Sequence, residues 1–316
     1  MNKARARHPC HEIAGIAQRR SVPQYVPMSS ARSRNPAFSL VELLVVIGII
    51  VLLFSIFVPY VAKVRETDHR AKCADNLRMI MQGLQIYANS NHAMLPRVVY
   101  DPAHNPDGYT VYTGASAADP FARDTTVRPN DVTASLWLLV RAESLQPATF
   151  ICPASAQAPE PGDANDWKHH SNFSGGVHLS YSYASPFSSA PGYTLNNYLP
   201  AEFALMSDKN PGISALGSNV TAPPYTAEPF DLAQANSNNH GRAGQNVLYA
   251  DGHVAFQTTP YCGVGHGAVR DNIFTALQRT PVQKGQNPPP EANGVVGRDV
   301  GPAWVGDSYL VPTDQD

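Results

Sequence analysis

The most regular pattern in the chain is an uninterrupted apolar run of 25 residues from Phe38 to Ala62, in which Glu42 is the only charged residue. At about 1.5 Å of rise per residue, a helix of this length is about 37 Å long, and a bilayer's hydrocarbon core is about 30 Å thick. The run therefore predicts a helix that crosses a membrane once.

The charges on the two sides of this run predict its orientation. Seven Lys and Arg residues and a single acid, Glu12, precede Phe38, whereas only Lys63 and Arg65 follow the run closely. By the positive-inside rule, the amino-terminal side stays in the cytoplasm. We therefore expect a single-pass protein of the inner (cytoplasmic) membrane, with everything after residue 62 extracytoplasmic, in the periplasm or at the cell surface.

Helical periodicity continues beyond the apolar run. Apolar residues recur at steps of four, three, four and three, at Cys73, Leu77, Ile80, Leu84 and Tyr87. This spacing is the stripe of an amphipathic helix that faces a core. The pattern predicts one helix from Phe38 to about Asn89, which Pro59 bends without ending.

The rest of the chain predicts short elements separated by long loops. Asp131 is placed to cap a short helix that extends to Val140. The expected strands are Phe150–Ile151, 179–183, 203–207, 246–250 and 253–257, the last two joined by Asp251-Gly252 as a two-residue hairpin link. Residues 91–131 and 154–176 have the composition of loops, and the Pro- and Gly-rich residues 281–316 are expected to form a loosely ordered tail.

A helix followed by antiparallel strands indicates an α+β domain. We expect a long amino-terminal helix, transmembrane in its first half, that packs on an antiparallel sheet with long loops. The expected parts are a leader (1–37), a transmembrane and assembly helix (38–62), a globular domain that includes the second half of the helix (63–280), and the tail (281–316).

The residues around the start of the apolar run carry a specific resemblance. The segment Asn35-Pro-Ala-Phe-Ser-Leu-Val-Glu-Leu-Leu-Val-Val-Ile47 resembles the processing site of type IV pilins and type II secretion pseudopilins. The resemblance implies that a prepilin peptidase cuts between Ala37, where the family usually has glycine, and Phe38, and then methylates the new amino terminus. It also implies a pilin-like fold, and as partners other pilin or pseudopilin subunits and an inner-membrane assembly platform.

This processing site leads to two further expectations. The leader is left out of the fold because it is removed, and Met28 is the expected true start, since it would leave a leader of ten residues. Glu42, fifth after the cut, is expected to meet the charged amino terminus of a neighbouring subunit in a filament, which would satisfy a carboxylate in apolar surroundings. The alternative for Glu42 is a local one, a contact with the helix dipole or a side chain that snorkels to the interface.

A second resemblance lies towards the carboxyl end. The segment Asn239–Val254, with His240 followed after ten residues by Asp251-Gly252, resembles the C-terminal signature of a large group of pilin-like proteins abundant in planctomycete-type bacteria. The segments Cys73-Ala-Asp-Asn-Leu-Arg78 and Phe150-Ile-Cys-Pro153 resemble recurrent elements of that group. Its biochemical role is poorly defined, so the resemblance implies fold and location rather than activity.

The signature has two physical explanations. The favoured one is structural: Asp251-Gly252 suits a hairpin turn, and a hydrogen bond from His240 closes the loop over the strand. The alternative is a site for a divalent cation made by His240, Asp251 and His253 with Asp208, since imidazole and carboxylate ligands both bind such ions. Under the favoured explanation, we expect no metal and no cofactor.

Composition narrows the partners and the compartment. The chain has 23 basic and 25 acidic residues, and without residues 1–37 there remain 16 basic and 24 acidic ones, which argues against binding of nucleic acid. Cys10 belongs to the leader, which leaves Cys73, Cys152 and Cys262. An oxidising compartment permits a disulfide, and Cys73–Cys152 is the expected pair, because the strand before Cys152 should pack near the helix stripe; two buried thiols are the alternative.

These observations favour a structural subunit that is not an enzyme. The sequence contains no Ser-His-Asp signature, phosphate-binding loop or His-Glu-x-x-His motif. We expect a pilin-like or pseudopilin subunit that is processed and assembled into a type IV pilus or a type II secretion pseudopilus. The alternatives are a membrane-anchored binding or metal-dependent domain that uses His240 and Asp251, and an unprocessed bitopic protein.

Overall fold

The computed structural model describes residues 38–103, 129–212, 223, 225–266, 269–277, 294–295 and 301–311. The expected leader, with Met28 and Ala37, lies outside the described residues, and so does most of the expected tail. The chain divides into two compact units, and the boundary between them lies between Ser55 and Ile56.

Helix α1 spans Leu40–Ser90 and confirms the predicted long helix. The helix has 51 residues and continues through Pro59. Its amino-terminal part is long and apolar enough to cross a membrane, and none of its most hydrophobic 18-residue window is buried. The sequence and the structure therefore agree on a candidate membrane span.

The predicted stripe on the second half of α1 is confirmed. Its fully buried members are Cys73, Leu77, Ile80 and Leu84, while Tyr87 packs against the same core and is partly exposed. Polar contacts add to this packing, since Asn76 Nδ2 donates hydrogen bonds to the Ile151 carbonyl at 2.8 Å and to the Tyr181 hydroxyl at 3.2 Å. This half of α1 thus packs on the sheet.

Helix α2, Val132–Arg141, begins at the predicted cap. The Asp131 carboxylate accepts a hydrogen bond from the Ala134 N–H at 2.9 Å, which satisfies a donor of the first turn. Most of its side chains are buried, including Trp137, so α2 is a core element rather than a helix with one apolar side. The short helices that the structure describes are α3 (Ala164–Trp167) and α4 (Pro229–Gln234), and 3-10 turns lie at Pro147–Phe150, Gly176–His178 and Asn238–His240.

The expected strand at Phe150–Ile151 is wrong. Residues Pro147–Phe150 form a 3-10 turn, because Pro147 lacks the N–H that a strand ladder needs and has the backbone angle that suits a first helical position. Phe150 is fully buried, which explains the apolar composition that suggested a strand. Its carbonyl still accepts a hydrogen bond from the Ser180 N–H at 2.9 Å, beside the first strand.

A five-stranded antiparallel sheet forms the centre of the domain. Its strands are β1 (Tyr181–Ala184), β2 (Ala204–Asp208), β3 (Gln245–Tyr249), β4 (Val254–Gln257) and β9 (Leu310–Val311), in the order β4-β3-β2-β1-β9. The predicted strands of this meander are confirmed, although the serines of β1 are as buried as its tyrosines. Two smaller antiparallel pairs are β5 (Tyr261–His266) with β6 (Val269–Asn272) and β7 (Ala276–Leu277) with β8 (Gly294–Val295).

The hairpin between β3 and β4 has a three-residue loop rather than the predicted two-residue link. The Tyr249 N–H donates to the His253 carbonyl at 3.0 Å, and the Gly252 N–H donates to the Tyr249 carbonyl at 2.9 Å. Gly252 has a φ of 90°, a conformation that favours glycine. The Asp-Gly pair therefore does mark the turn, but with Ala250 as a third loop residue.

The expectation of a loosely ordered tail is wrong for residues 301–311. Strand β9 pairs with β1, with Val311 opposite Tyr183 and Leu310 opposite Ala184. Leu310 is fully buried, and its N–H donates to the Ile273 carbonyl at 2.9 Å. Residues Leu310–Val311 therefore add an edge strand to the sheet. This is a long-range pairing, and the local sequence contains no turn or periodicity that predicts it.

Leu310→Ala should destabilise the domain by about 2–5 kcal/mol, because it leaves a cavity in the core. Chemical unfolding of the full chain in detergent micelles would measure this change. The matched control is Val305→Ala in the same segment, where the side chain is 45% exposed and the expected change is within about 0.5 kcal/mol. Equal effects of the two substitutions would contradict the docking of β9.

Candidate functional site

Glu42 takes part in a local cap at the start of α1. Its Oε2 accepts a hydrogen bond from the Ser39 N–H at 2.9 Å, and Ser39 Oγ accepts one from the Val41 N–H at 3.3 Å. The Ser39 carbonyl also accepts the Leu43 N–H at 3.1 Å, the first hydrogen bond of the helix. Ser39 and Glu42 are three residues apart, the spacing of a capping box, so a local role for Glu42 is available beside the expected assembly role.

The second candidate site is centred on His240, at the end of the 3-10 turn Asn238–His240. Ser237 precedes this turn, and its Oγ accepts a hydrogen bond from the Asn239 N–H. The same hydroxyl donates to the Lys209 carbonyl at 2.7 Å, which fixes the turn directly after the end of β2. Gly241 follows in the left-handed conformation, with a φ of 60°, and ends the turn. The turn thus holds the imidazole above the end of the strand.

The buried imidazole of His240 lies between two carboxylates. Its Nδ1 is 3.0 Å from Glu66 Oε1 on α1, and its Nε2 is 3.2 Å from Asp208 Oδ2 at the end of β2. The side chains of His240 and Asp208 are fully buried, whereas that of Glu66 is 34% exposed. One side chain therefore bridges the helix and the sheet.

Asp208 is held by donors from the neighbouring elements. Its Oδ2 accepts hydrogen bonds from the Asn246 backbone N–H at 2.6 Å and from Asn246 Nδ2 at 3.2 Å. Its Oδ1 accepts one from Asn239 Nδ2 at 3.3 Å, and that amide also donates to the Ser180 carbonyl at 2.8 Å. These donors compensate for the burial of a carboxylate, which would otherwise be costly.

Glu66 is held in turn by Arg70, one helical turn further along α1. Arg70 Nε donates to Glu66 Oε1 at 2.8 Å, and the guanidinium carbon lies 4.0 Å from the centre of the Phe256 ring on β4. The same ring packs edge-on against His240, with 5.8 Å between the ring centres. Phe256 therefore shields the side of the site where α1 meets β4.

The environment of His240 favours its charged form. Burial by itself lowers the pKa of His240, but the hydrogen bond and the charge of Asp208, together with those of Glu66, outweigh the burial and raise this pKa above its ordinary value. Nδ1 makes a hydrogen bond to Glu66 Oε1, and Nε2 lies within ion-pair distance of Asp208 Oδ2 and 3.3 Å from Asn246 Nδ2.

The disulfide expected between Cys73 and Cys152 is present beside this imidazole. The two Cα atoms are 5.2 Å apart, and both residues are fully buried. Cys152 Sγ lies 3.7 Å from His240 Nε2. A covalent bond and a charged bridge thus join α1 to the rest of the domain at one place.

The expected cation site of His240, Asp251 and His253 with Asp208 is not assembled. Asp251 pairs with His253, whose Nδ1 is 2.6 Å from Asp251 Oδ1, and both side chains are about half exposed on the hairpin. Among the described residues, the group with ligand atoms in reach of one another is Cys73, Cys152, Asp208 and His240, within 4.8 Å. The expected set is therefore divided into two separate pairs, Asp208 with His240 in the buried site and Asp251 with His253 on the hairpin.

Glu66, Asn239 and Asn246 belong to this site although the sequence patterns did not predict them. Glu66 precedes Cys73 by seven residues, two helical turns, so its place on the same side of α1 was available from the spacing. Asn239 adjoins His240 in the chain, and Asn246 opens the predicted strand after it. Their common target, Asp208, comes from a different strand, and no local pattern identifies it.

The charged bridge should make the stability of the domain depend on pH. Because the pKa of His240 is raised by folding, its contribution should be fully present below the unfolded value of about 6.5 and should be lost as the pH rises through the higher folded value. The difference in unfolding free energy between the wild-type chain and His240→Gln, measured from pH 5 to 9, should therefore shrink as the pH rises.

His253→Gln is the matched control for this experiment, because it replaces an exposed imidazole on the hairpin. It should leave the pH dependence due to His240 in place. A wild-type advantage over His240→Gln that stays constant, or grows, with rising pH would contradict a charged imidazole between Glu66 and Asp208.

Comparison with known proteins gives no match: no family model matches the sequence, and neither a curated protein nor a solved structure is significantly similar to it. The chain is an α+β protein with a long apolar amino-terminal helix and an antiparallel sheet, an architecture consistent with that of pilins.

Proposed function

We propose that the chain is a structural, pilin-like subunit that is cut before Phe38 and assembled through the apolar part of α1 into a type IV pilus or a type II secretion pseudopilus. The observation that supports this proposal most directly is the combination of a membrane-length apolar helix with a single carboxylate, Glu42, in its first turn. The function requires no turnover chemistry.

The apolar surface of α1 needs a partner of low polarity. The large apolar side chains from Leu40 to Tyr60 are about half to three-quarters exposed, a continuous apolar surface far beyond what a soluble monomer tolerates. A bilayer can cover this surface before assembly, and the same segments of other subunits can cover it afterwards. One helix thus serves both a membrane-inserted precursor and a packed filament.

The position of Glu42 favours a role in assembly over a role of the helix as a simple membrane anchor. A carboxylate is unfavourable in hydrocarbon, and an anchor would be more stable without it. In the uncut chain Glu42 accepts the Ser39 N–H. Cleavage before Phe38 would create a charged amino group on Phe38, one residue before Ser39. A neighbouring subunit's amino terminus would then offer Glu42 a stronger, charge-assisted partner.

Processing is the first step to test. When the chain is expressed with a prepilin peptidase, intact-mass measurement should find a product that begins at Phe38 and carries one added methyl group. Ala37→Gly should be cut like the wild type, whereas Ala37→Leu should stay uncut because a large side chain replaces a small one. An intact amino terminus on the wild-type chain in cells with an active peptidase would overturn the proposal.

Substitutions at Glu42 separate assembly from capping. Glu42→Gln keeps a side chain that can accept the Ser39 N–H, as a capping box allows, but removes the charge. If the charge pairs with a neighbouring amino terminus, Glu42→Gln and Glu42→Ala should both be inserted and cut normally, and both should lose most of their incorporation into sheared filaments or pseudopilus fractions.

Ser39→Ala is the matched control, because it removes a cap contact and leaves the charge of Glu42. It should be incorporated at close to the wild-type level. Normal incorporation of Glu42→Gln together with a defect in Glu42→Ala would assign Glu42 to the cap, and normal incorporation of both would remove it from assembly.

A further inference from the structure

Four buried side chains with the chemistry of metal ligands converge where α1 meets the sheet. Cys73 comes from α1, Cys152 from the segment after the Pro147–Phe150 turn, Asp208 from the end of β2 and His240 from its own turn. All four residues are buried, and their ligand atoms lie within 4.8 Å of one another. In the described state, the two sulfur atoms are joined to each other.

We propose that this group has a second state, in which the disulfide is reduced and the two thiolates, His240 Nε2 and an Asp208 carboxylate oxygen bind one thiophilic divalent cation such as Zn²⁺. Two sulfurs, one imidazole and one carboxylate are a tetrahedral ligand set of the kind that binds zinc. The residues come from four separate segments, so the cation would join the same elements that the disulfide joins.

The distances already present fit such a centre. With bonds of about 2.3 Å to sulfur and about 2.0–2.1 Å to nitrogen and oxygen, neighbouring ligands of a tetrahedral zinc ion are about 3.6 Å apart for sulfur and nitrogen and about 3.4 Å for nitrogen and oxygen. His240 Nε2 lies 3.7 Å from Cys152 Sγ and 3.2 Å from Asp208 Oδ2. Two edges of the tetrahedron are therefore preformed, and breaking the sulfur–sulfur bond frees the remaining ligands to separate.

The residues that hydrogen-bond to the proposed ligands are also suited to a metal site. Zinc-bound histidines usually donate their other ring N–H to a carboxylate, and Glu66 occupies that position at 3.0 Å from Nδ1. This contact leaves Nε2 facing the two cysteines and Asp208. Asn239 and Asn246 hold the Asp208 carboxylate in place. Oδ1 accepts one hydrogen bond and keeps a lone pair for a cation, whereas Oδ2 accepts two and would give up the longer one, from Asn246 Nδ2 at 3.2 Å, to bind a cation.

The exchange between the two states balances with a thiol reductant. Two small thiols reduce the disulfide to two cysteine thiols and become a disulfide themselves. Binding of the cation then releases one proton from each cysteine thiol, and a third proton if His240 is charged. Reoxidation by a disulfide removes two electrons from the thiolates, restores the sulfur–sulfur bond and expels the cation.

Cobalt(II) is a suitable probe, because its thiolate-to-metal absorption and its visible bands report tetrahedral coordination by sulfur. The experiment uses the full chain in detergent with Cys10→Ser and Cys262→Ser, so that Cys73 and Cys152 are the only thiols. After reduction with a phosphine, the chain should bind one Co²⁺ with both signatures, and Zn²⁺ should displace it. The oxidised chain should bind none.

Substitutions test whether His240 and Asp208 are ligands and whether Glu66 acts through His240. His240→Gln and Asp208→Asn should each lose the tetrahedral signature, while the hairpin control His253→Gln should bind as the parent does. Glu66→Gln should weaken binding by about 10–100-fold and keep the signature, because it acts through His240.

Two further outcomes decide the proposal. If reduction opens the fold, added Zn²⁺ should restore it, because metal binding would then be linked to folding. Failure to restore it, absence of Co²⁺ binding by a folded reduced chain, or binding that survives both His240→Gln and Asp208→Asn would overturn the second state. None of these results depends on filament incorporation, so the site and the proposed function can fail separately.

Discussion

The second half of α1 is held on the sheet at one place by two unlike interactions, the Cys73–Cys152 disulfide and the bridge of His240 between Glu66 and Asp208. Burial of the apolar stripe supplies much of the packing energy, but hydrophobic contact alone is not directional. The bridge is directional, because each imidazole nitrogen meets one carboxylate. A buried ion pair that loses one member leaves an uncompensated charge, so the orientation of the helix on the sheet depends on all three side chains.

The two halves of α1 have different distributions of apolar and polar side chains. The first half presents apolar side chains on every side and one carboxylate that is satisfied locally by Ser39. The second half is amphipathic, with exposed ion pairs such as Lys72–Asp68 and Arg78–Asp75 opposite the buried stripe. Exposed pairs of this kind contribute little to stability, so the second half depends on its apolar stripe and on the contacts around His240.

The sequence predicted the features that are local in the chain. The period of α1, the cap at Asp131, strands β1–β4 and the place of the hairpin at Asp251-Gly252 each depend on residues close to one another in sequence. The exceptions are long-range. Strand β9 pairs with β1 across more than a hundred residues, and Glu66 meets His240 across 174. Pairings of this length follow from the closed fold, and turn chemistry or periodicity does not encode them.

The spacing between His240 and Asp251 also gains a physical explanation. The ten residues between His240 and Asp251 contain the end of the His240 turn and the whole of β3. The spacing in sequence is therefore the length of chain needed to form this one strand. Gly244 lies immediately before β3, where a Cβ would overlap the Gln257 carbonyl oxygen, and this restricts the position to glycine. The hairpin that Asp251 and Gly252 close then returns β4 with Phe256 against the imidazole, while β3 contributes Asn246 to Asp208. His240 and Asp251-Gly252 are therefore structurally linked although they are not in contact. The turn at Asp251-Gly252 sets the positions of β3 and β4, and these strands carry Asn246 and Phe256, which surround the His240 site.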